Sequence, residues 1–501
     1  MNRRDFLALS ATATAMAGLP YPLAAAGDDW AKAFRAALAE KPWLLGWLGT
    51  NEARLETPAL SVEGTIPDAL SGTLYRNGPA QHEVGGRRYQ HWFDGDGMVQ
   101  AFRIGGGTVS HLGRLVQTAK LSTEEKADRP VEMTFGTYLP DMRRAANADA
   151  LNTANINMLH HGGELLALWE GGSAYRIEPD TLDTIGPKTW NPLTKGLPFS
   201  AHPRVDSQGT LWSFGYASSA GAIVLYRIDP AGTLVEQGIV RMERVPMVHD
   251  FVVTERQVLL VLPPLYFDGS RPGAFLDRHV WDPDAGTRIL IFDKDDLTKH
   301  RTVEMPAYWV FHFGNAWEDK AGTVHLDLAR YDDPSLMFET LRWVMRGEYR
   351  PGTTARPYRM TVDAAAGRAT AEAIAEDAEA EFPRIDERLT GRRHRRLILL
   401  GSDGAAPHPL FNAVVRVDPE TGKRSFFSYG AHAIAEEHVF VPRPGGTGED
   451  DGWVLGTVLD YKAGVTRLTV FDAARIGDGP LAVASLPYAL PLGLHGTFVA
   501  A

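Results

Sequence analysis

Four histidines lie in or beside short apolar runs, an unusual setting for a side chain that can bind a metal ion. They occur in the segments PFSAHPRVD, VPMVHDFVV, WVFHFGNAWED and LPLGLHGTFV, as His202, His249, His312 and His495. A single histidine of this kind is commonly a hydrogen-bonded core residue. Four of them on separate elements could converge on one ion, although separations of 47, 63 and 183 residues form no local metal-binding motif.

The composition limits the other chemistry that the chain could perform. The 501 residues include no cysteine, which excludes disulfides, thiolate zinc sites, iron–sulfur clusters and a cysteine nucleophile. Any metal must therefore be bound by histidine, aspartate or glutamate. The 51 basic and 62 acidic residues give a formal net charge of −11, which argues against a nucleic-acid partner.

The elements that would position the four histidines are predicted to be short β-strands. Apolar runs such as TLWSFGY and VLLVLPP alternate with turn signals, and a strand–turn–strand pattern recurs in RIDPAG, RVDPETGK and TVDAAAGR. We expect an all-β, seven-bladed β-propeller with about 65 residues per blade, formed as a single domain over residues 28–501. A pair of β-sandwiches is the competing architecture, and the regular recurrence of hairpins argues against it.

The first residues have the features of an export signal. Arg3 and Arg4 precede an Ala/Thr/Leu-rich stretch that runs to Leu19, and a run of three alanines follows it. This pattern predicts a twin-arginine signal peptide over residues 1–27 and a periplasmic protein. An amphipathic helix that stays attached is the alternative.

The secondary structure of two further segments can be predicted from their composition and spacing. Trp30, Phe34 and Leu38 recur at helical spacing within residues 29–41, which predicts a short amphipathic helix packed on the body. The Ala/Glu-rich stretch over residues 364–380 predicts a solvated loop or hairpin tip.

Most of the other histidines need no metal-binding explanation. His160 and His161 precede two glycines and are expected to have a structural role at a hairpin turn. Five more lie in polar or turn-like surroundings and are predicted to be solvated: His111, His279, His300, His394 and His408.

Ten motifs occur in the order in which the carotenoid cleavage oxygenases carry them, and together they span most of the chain. They are GTLYRNGPA (72–80), HWFDGDGMV (91–99), NTANINM (152–158), LLALWE (165–170), AHPRVD (201–206), MVHDFVVTE (247–255), FHFGNAWED (311–319), EFPRID (381–386), FVPRPGGTGEDDGWVLG (440–456) and LHGTF (494–498). No single motif is decisive, but ten in order are highly specific. The chain therefore resembles this family, and the resemblance implies a propeller capped by a dome of loops and helices over an axial metal site.

The resemblance also implies what that site contains. One Fe(2+) per chain would be held by the four histidines His202, His249, His312 and His495. Three carboxylates would accept hydrogen bonds from three of these rings, by motif Glu170, Glu381 and Glu437. The HWFDGDG residues are not ligands in the family and are expected to support turns and hairpins: His91, Asp94 and Asp96.

The reaction that the resemblance implies is the cleavage of a conjugated carbon–carbon double bond with O2, giving two carbonyl products. A long polyene offers no charge to bind, so an apolar tunnel would have to position it beside the metal. The residues expected at the tunnel or the oxygen site are Ile156, Trp169 and Phe311. Further lining candidates, which could equally be ordinary core residues, are Phe313, Trp317 and the run 262–267.

Two positions depart from the pattern of the family. Ile156 stands where a threonine is common; its branched methyl can still narrow one open metal position, but an apolar residue there also accompanies isomerisation in a neighbouring branch. Trp169 stands where stilbene-cleaving relatives tend to carry a lysine that engages a phenol. Tryptophan therefore favours a carotenoid or apocarotenoid substrate.

These observations leave several hypotheses open. The first is a non-haem iron dioxygenase that cleaves a carotenoid or apocarotenoid. Within enzymes, the alternatives are a stilbene-cleaving relative and an isomerase. From other classes come an exported propeller that binds a ligand without catalysis and a calcium-dependent lactonase propeller, although the latter would need acidic and amide ligands at its axis. A hydrophobic tunnel entrance would also allow peripheral contact with a lipid surface.

Overall fold

The computed structural model describes residues 29–376 and 378–501. The predicted signal peptide, residues 1–27, lies outside the described residues. The chain opens with helix α1 (Trp30–Glu40), where the Asp29 side chain accepts a hydrogen bond from the Lys32 N–H at 3.0 Å. Phe34 is buried and Trp30 stacks on Trp343 at 5.4 Å, which confirms the predicted helix and its packing on the body.

The N-terminal strands form most of the first blade of the propeller. They are β1 (Arg54–Thr57), β2 (Ser61–Gly64), β3 (Gly72–Asn77), β4 (Pro79–Gln81), β5 (Glu83–Val84), β6 (Arg87–Arg88), β7 (Asp96–Gly105) and β8 (Thr108–Leu115). Blade 1 has the order β1-β8-β7-β3, with β4 paired to β7, whereas β2 joins the last blade.

The next blades follow in chain order, each as a four-stranded antiparallel sheet. Helix α2 (Ala119–Ala127) precedes blade 2, which comprises β9 (Asn157–His161), β10 (Glu164–Leu168), β11 (Tyr175–Ile177) and β12 (Thr184–Pro187). Blade 3 comprises β13 (Arg204–Val205), β14 (Leu211–Ala217), β15 (Ala222–Ile228) and β16 (Leu234–Arg241). Blade 4 comprises β17 (Val252–Val253), β18 (Gln257–Leu262), β21 (Thr287–Asp293) and β22 (Asp296–Met305), with the hairpin β19 (Leu265–Phe267) and β20 (His279–Trp281) inserted.

Three further blades complete the ring. Blade 5 comprises β23 (Trp309–Glu318), β24 (Val324–Tyr331), β25 (Arg356–Asp363) and β26 (Arg368–Ala373), with helices α3 (Ser335–Phe338) and α4 (Thr340–Trp343) between β24 and β25. Blade 6 comprises β27 (Ala380–Arg384), β28 (Leu397–Gly401), β29 (Ala413–Val417) and β30 (Arg424–Ser428). Blade 7 comprises β31 (Ala433–Pro442), β32 (Gly452–Asp460), β33 (Val465–Asp472) and β34 (Ala482–Ser485), and the chain ends in β35 (His495–Ala500).

The ring is closed by pairing between the two ends of the described chain. Strand β35 pairs with β3 in blade 1, from Asn77 opposite His495 to Gly72 opposite Ala500. Strand β2 pairs with β34 at the outer edge of blade 7. Two independent closures therefore hold the first and last blades together, and the seven blades confirm the predicted propeller.

Burial along the strands explains why the sequence forms this ring. The β18 run QVLLVL is buried at every position because both faces of its sheet pack against neighbouring blades. A large core accordingly joins Phe214 of blade 3, Leu260 of blade 4 and Trp309 of blade 5. The Ala/Glu-rich stretch instead forms the turn after β25 and strand β26, whose positions alternate between exposed and half-buried. That pattern refines the prediction of a hairpin tip.

Among the described residues, no helix combines the length and the apolar character needed to cross a membrane. Residues of the α3–α4 region and of the segment 144–151 line the wall of a cavity over the propeller axis.

Candidate metal centre

The propeller brings the four predicted histidines together on four different blades. Two precede the first strands of blades 3 and 4, one lies within β23 of blade 5, and one begins β35 of blade 1: His202, His249, His312 and His495. All four are buried, and one ring nitrogen from each lies within 4.8 Å of the others. In the described residues this is the one group of histidine and acidic side chains with the geometry to bind a metal ion.

The Nε2 atoms face the shared centre of this group. Nε2 of His202 lies 3.0 Å from Nε2 of His249, and the ring centroids of His312 and His495 are 4.7 Å apart. Nε2 of His312 is buried and has no hydrogen-bond partner. A cation at the centre would satisfy this orphaned nitrogen, so the donor set fits a metal that prefers imidazole ligands.

Three carboxylates accept hydrogen bonds from the outward nitrogens of these rings. The distances from Nδ1 to the carboxylate oxygen are 2.5 Å for His249 and Glu170, 2.6 Å for His312 and Glu381, and 2.8 Å for His495 and Glu437. This arrangement fixes each ring with its proton on Nδ1 and leaves Nε2 free to bind a cation. Among the described residues, His202 has no carboxylate partner.

Each of the seven blades contributes either one of the four histidines or one of the three glutamates. Blades 1, 3, 4 and 5 each provide one histidine. Glu170 follows β10 of blade 2, Glu381 lies in β27 of blade 6, and Glu437 lies in β31 of blade 7. Every blade therefore places one residue at the axis, and the three carboxylates offset the charge that a buried cation would bring.

Each carboxylate is itself held by groups that the sequence analysis missed. The phenol of Tyr216 donates to Glu170 at 2.9 Å, and that of Tyr331 donates to Glu381 at 2.9 Å. Glu437 accepts the backbone N–H of Gly496 at 2.9 Å. The two tyrosines lie on second strands of their blades, at no fixed spacing from any histidine, so no pattern in one sequence reveals them.

Burial and neighbouring charges set the protonation of the site. Burial, with smaller effects of the neighbouring imidazoles, lowers the pKa of His202 well below its ordinary value, and burial lowers that of His495 to about 4. Burial also acts to lower the pKa of His312, but the Glu381 carboxylate outweighs it and the pKa is raised. Burial would raise the pKa of Glu437, yet Arg384 and His495 lower it to about 2. The carboxylate thus favours a protonated His312 ring, and a proton on its Nε2 would compete with a bound cation.

A cavity of about 1480 Å³ opens directly onto the histidine cluster. His249, His312 and His495 line it, and His202 is not among the lining residues. The three residues predicted at the tunnel or oxygen site all line this cavity: Ile156, Trp169 and Phe311. Much of the remaining wall is aromatic, with Trp92, Phe93, Phe135, Phe267, Phe275, Phe382 and Phe411.

The prediction that Phe313, Trp317 and the run 262–267 line the cavity was wrong for all of these residues except Phe267. Phe313 packs in the core between blades 4 and 5, and Trp317 stacks on His325 at a centroid distance of 4.4 Å; neither lines the cavity. Of the run 262–267, only Phe267 reaches it. In a regular strand Phe311 and Phe313 would face the same side of the sheet. Here β23 changes its register against β24 on both sides of Phe313, which interrupts the alternation between the two residues.

The HWFDGDG residues lie in supporting positions. Nδ1 of His91 accepts the Phe93 N–H at 3.1 Å, and Asp94 accepts the Thr137 hydroxyl at 2.6 Å. Asp96 forms a buried ion pair with Lys120 at 2.9 Å. These contacts hold turns near the cavity wall, and none of the three carries a ring or carboxylate into the histidine cluster.

The prediction that five histidines are solvated was wrong for four of them. His300 is exposed on β22, but tertiary contacts bury the others: His111 against Gln100, His279 against the Phe275 carbonyl, His394 against Asp327 and His408 against the Ala433 carbonyl. His160 is exposed at the hairpin, and Nε2 of His161 donates to the Gly209 carbonyl at 2.9 Å, which is a structural contact.

Comparison with known proteins agrees with this geometry. The family model described as retinal pigment epithelial membrane protein matches residues 49–500 of this chain. The apocarotenoid-15,15'-oxygenase of Synechocystis sp. is 34% identical over 472 residues, which cover 87% of this chain and 92% of that relative. The resveratrol cleavage oxygenase 1 of Aspergillus fumigatus is 28% identical over 496 residues, covering 93% of this chain and 97% of that relative.

A solved structure shows the same architecture. The cobalt-substituted apocarotenoid oxygenase of Synechocystis superposes with a TM-score of 0.83 at 30% sequence identity, covering 92% of this chain and 99% of that one. The match to the family model extends over most of the chain, and the relatives are matched over nearly their whole length. The chain therefore belongs to the retinal pigment epithelial membrane protein family, the carotenoid cleavage oxygenases.

Proposed function

We propose that this protein is an Fe(2+)-dependent dioxygenase that cleaves a conjugated carbon–carbon double bond of a carotenoid or apocarotenoid with O2. The products would be two carbonyl compounds. One observation carries the proposal: a buried cluster of four imidazoles opens onto a large cavity with an aromatic wall. The name of the Synechocystis relative, an apocarotenoid-15,15'-oxygenase, supports the substrate class.

The donor set supports iron in particular. Neutral imidazoles suit Fe(2+), and four protein ligands leave coordination positions that a closed tetrahedral zinc site would not have. When bound, iron supplies the electrons that activate O2. His249, His312 and His495 all line the cavity, so an ion held by their nitrogens is accessible to a bound substrate.

The chain's own residues would bind and orient the polyene. The cavity carboxylates Glu170 and Glu381 are engaged by His249 and His312, which leaves an apolar surface near the axis. Ile156 is held next to the histidine cluster because the backbone N–H of His495 donates to the backbone carbonyl of Ile156 at 3.2 Å. Ile156 also lines the cavity together with His495, so its branched side chain would narrow the space beside a bound metal and restrict which alkene bond can approach.

Cleavage of a phenolic stilbene is the alternative within the family. The Aspergillus fumigatus relative is named for resveratrol, which is such a compound. Trp169 lines the cavity of this chain immediately before Glu170, and its indole offers an apolar face rather than a cation for a phenolate. We therefore propose the polyene as the substrate and treat the stilbene as an outcome of the test.

The test is product analysis by mass spectrometry, with oxygen uptake followed in parallel. Iron-loaded protein is incubated with a panel of carotenoids, apocarotenals, hydroxylated stilbenes and all-trans retinoid esters, and zinc-loaded protein is the matched control. We expect paired carbonyl products from a polyene, with one O2 consumed per bond cut and none with zinc. Stilbene aldehydes without polyene cleavage would establish the alternative, and isomers formed without oxygen uptake would overturn the dioxygenase.

We also propose that the protein is exported through the twin-arginine pathway to the periplasm. The arginine pair and the alanine-rich stretch within residues 1–27 support this. The measurement is the N-terminal sequence of the protein recovered from the periplasm. A mature chain that begins close to residue 28 is expected, and export that persists after Arg3 and Arg4 are both changed to Lys would contradict the pathway.

A peripheral contact with lipid is a further proposal about substrate entry. Tyr349, which is 47% exposed, lies on the wall of the cavity, so an apolar side chain is presented where the cavity reaches the surface. Co-sedimentation with neutral phosphatidylcholine vesicles tests it. We expect binding that Tyr349→Ser weakens, and no binding of the unchanged protein would refute the proposal.

A further inference from the structure

One ion pair joins two of the segments that carry the histidines. Arg204 follows His202 by two residues, and Asp250 follows His249 directly. Nη2 of Arg204 donates to Oδ2 of Asp250 at 2.6 Å. The Asp250 side chain is only 1% exposed, so the contact between blades 3 and 4 lies in the interior of the ring.

The same pair also binds the strand that carries His312. Oδ2 of Asp250 accepts the N–H of Phe313 at 2.8 Å, and Nη2 of Arg204 donates to the Phe313 carbonyl at 3.0 Å. Phe313 follows His312 directly in β23. Nη1 of Arg204 donates to the next carbonyl, that of Gly314, at 3.4 Å. Two side chains thus hold both backbone groups of the residue beside a third histidine.

The remaining polar atoms of the pair are used in the same way. Nε of Arg204 donates to the carbonyl of Phe251 at 3.2 Å, and Oδ1 of Asp250 accepts the N–H of Phe251 at 2.7 Å. All three guanidinium nitrogens and both carboxylate oxygens therefore have partners. A planar guanidinium sets the directions of its hydrogen bonds, which a flexible lysine ammonium cannot reproduce.

We propose that Arg204 and Asp250 are positioning residues that fix the separation of His202, His249 and His312, and so set the affinity and geometry of the metal site. The inference rests on the proposed metal site but not on the proposed substrate. Every group that the pair holds lies within two residues of a histidine, so any displacement of the pair moves a ring. His495 is positioned independently, because Glu437 binds both its ring and the Gly496 N–H.

The test uses Co(2+) as a spectroscopic probe in the full-length protein without substrate. Arg204→Lys keeps the positive charge but loses the fork of donors. We expect its dissociation constant for Co(2+) to rise by about tenfold or more, and the visible d–d bands of the bound ion to shift, because these bands report the ligand geometry.

The matched control is Arg359→Lys on the same propeller. Arg359 forms a comparable pair with the buried Asp327, at 2.9 Å and 3.1 Å, between β24 and β25. Asp327 also contacts His394, and among the described residues the two side chains form no hydrogen bond to a segment that carries one of the four clustered histidines. This variant is expected to unfold at a lower temperature while its Co(2+) affinity and spectrum match the unchanged protein. Both variants remove a half-buried guanidinium that is paired with a buried aspartate, so a purely structural role predicts the same result for both.

Each outcome decides the inference. If Arg204→Lys loses stability as Arg359→Lys does, with unchanged Co(2+) affinity and bands, the pair is only structural and the inference is overturned. If Arg204→Lys does not fold, the Co(2+) affinity and d–d bands of Asp250→Asn are measured instead. Asparagine keeps the shape of the aspartate side chain and one of its two acceptor oxygens. Unchanged d–d bands in this variant also overturn the inference. Failure of the unchanged protein to bind Co(2+) or Fe(2+) would overturn the metal site itself, and with it the proposed function.

Discussion

The carboxylate of Glu381 lies 2.6 Å from Nδ1 of His312, and the same oxygen accepts the N–H of the next residue, Phe382, at 2.6 Å. Phe382 has a φ of 54°, a left-handed conformation that is rare for a bulky residue and indicates a position held by its surroundings. Its ring lies 5.2 Å from that of His312 and lines the cavity. One glutamate therefore positions both an imidazole of the metal centre and a wall of the substrate cavity.

Replacing this carboxylate with an amide should weaken metal binding more than folding. Glu381→Gln keeps the volume and one acceptor but removes the charge that makes His312 a more basic ligand. We expect metal affinity to fall by about 10- to 100-fold, measured by competition with a chelator. Glu379→Gln is the control, since that exposed carboxylate accepts a hydrogen bond from the Thr354 hydroxyl at 3.1 Å. Equal affinities in the two variants would contradict the role of Glu381.

Removing a ring from the cluster should abolish both metal and turnover. His249→Ala deletes a nitrogen that lies 3.0 Å from Nε2 of His202 and leaves Glu170 without its imidazole. We expect the metal content of the purified protein to fall from about one ion per chain to nearly none, measured by atomic absorption. The same change at the exposed His160 should alter neither metal nor turnover. A variant at His249 with full metal content would show that the ring is not a ligand.

The fold could be predicted from the sequence because the signals for its strands and turns lie in short local segments. Each blade is a run of hairpins, and turns such as RIDPAG and RVDPETGK mark them wherever they recur. The positions of the histidines depend on contacts that are far apart along the chain. His495 reaches the cluster because β35 pairs with β3 at the other end of the chain, and no spacing encodes that closure. The ordered motifs, rather than the separations, therefore identified the cluster.

The errors also have a physical cause. His394 lies in the polar run GRRHRR, which is typical of a solvated segment, yet it is fully buried beside Asp327. The arginines around it form ion pairs such as Arg393 with Glu420 and Arg396 with Asp450. A polar neighbourhood in the sequence thus indicates exposure only when the partners of its charges are known, and those partners are set by tertiary structure.

Exchanging the indole beside Glu170 for a cation should alter substrate preference. Trp169 lines the cavity, and its ring lies against the backbone of Gly171. Trp169→Lys removes apolar area and offers a donor to a phenolic oxygen. We expect kcat/KM for an apocarotenal to fall by at least tenfold and that for a hydroxylated stilbene to rise relative to it, measured by competition between the two substrates. Trp169→Leu, which removes the aromatic ring without adding charge, is the control. An equal loss of activity on the apocarotenal and on the stilbene in Trp169→Lys would contradict the prediction.

Buried histidines outside the metal centre should make the protein less stable as the pH falls from 7 towards 4. Burial lowers the pKa of His111 to about 3 and that of His408 to about 4, below the ordinary value of about 6.5. Between pH 6.5 and the lowered pKa the unfolded chain binds protons that the folded protein does not, so the free energy of unfolding falls as the pH falls.

A single substitution should change this pH dependence by a measurable amount. His111 forms hydrogen bonds with Gln100 and Tyr488, and His111→Gln keeps polar groups there but removes the titration. We expect the slope of the free energy of unfolding against pH to decrease by about 1.4 kcal/mol per pH unit between pH 6 and 4, measured by urea denaturation. His300→Gln, at an exposed position of β22, is the control, and its slope is compared with that of the unchanged protein. A steep slope that persists in the His111 variant would show that other groups control the acid sensitivity.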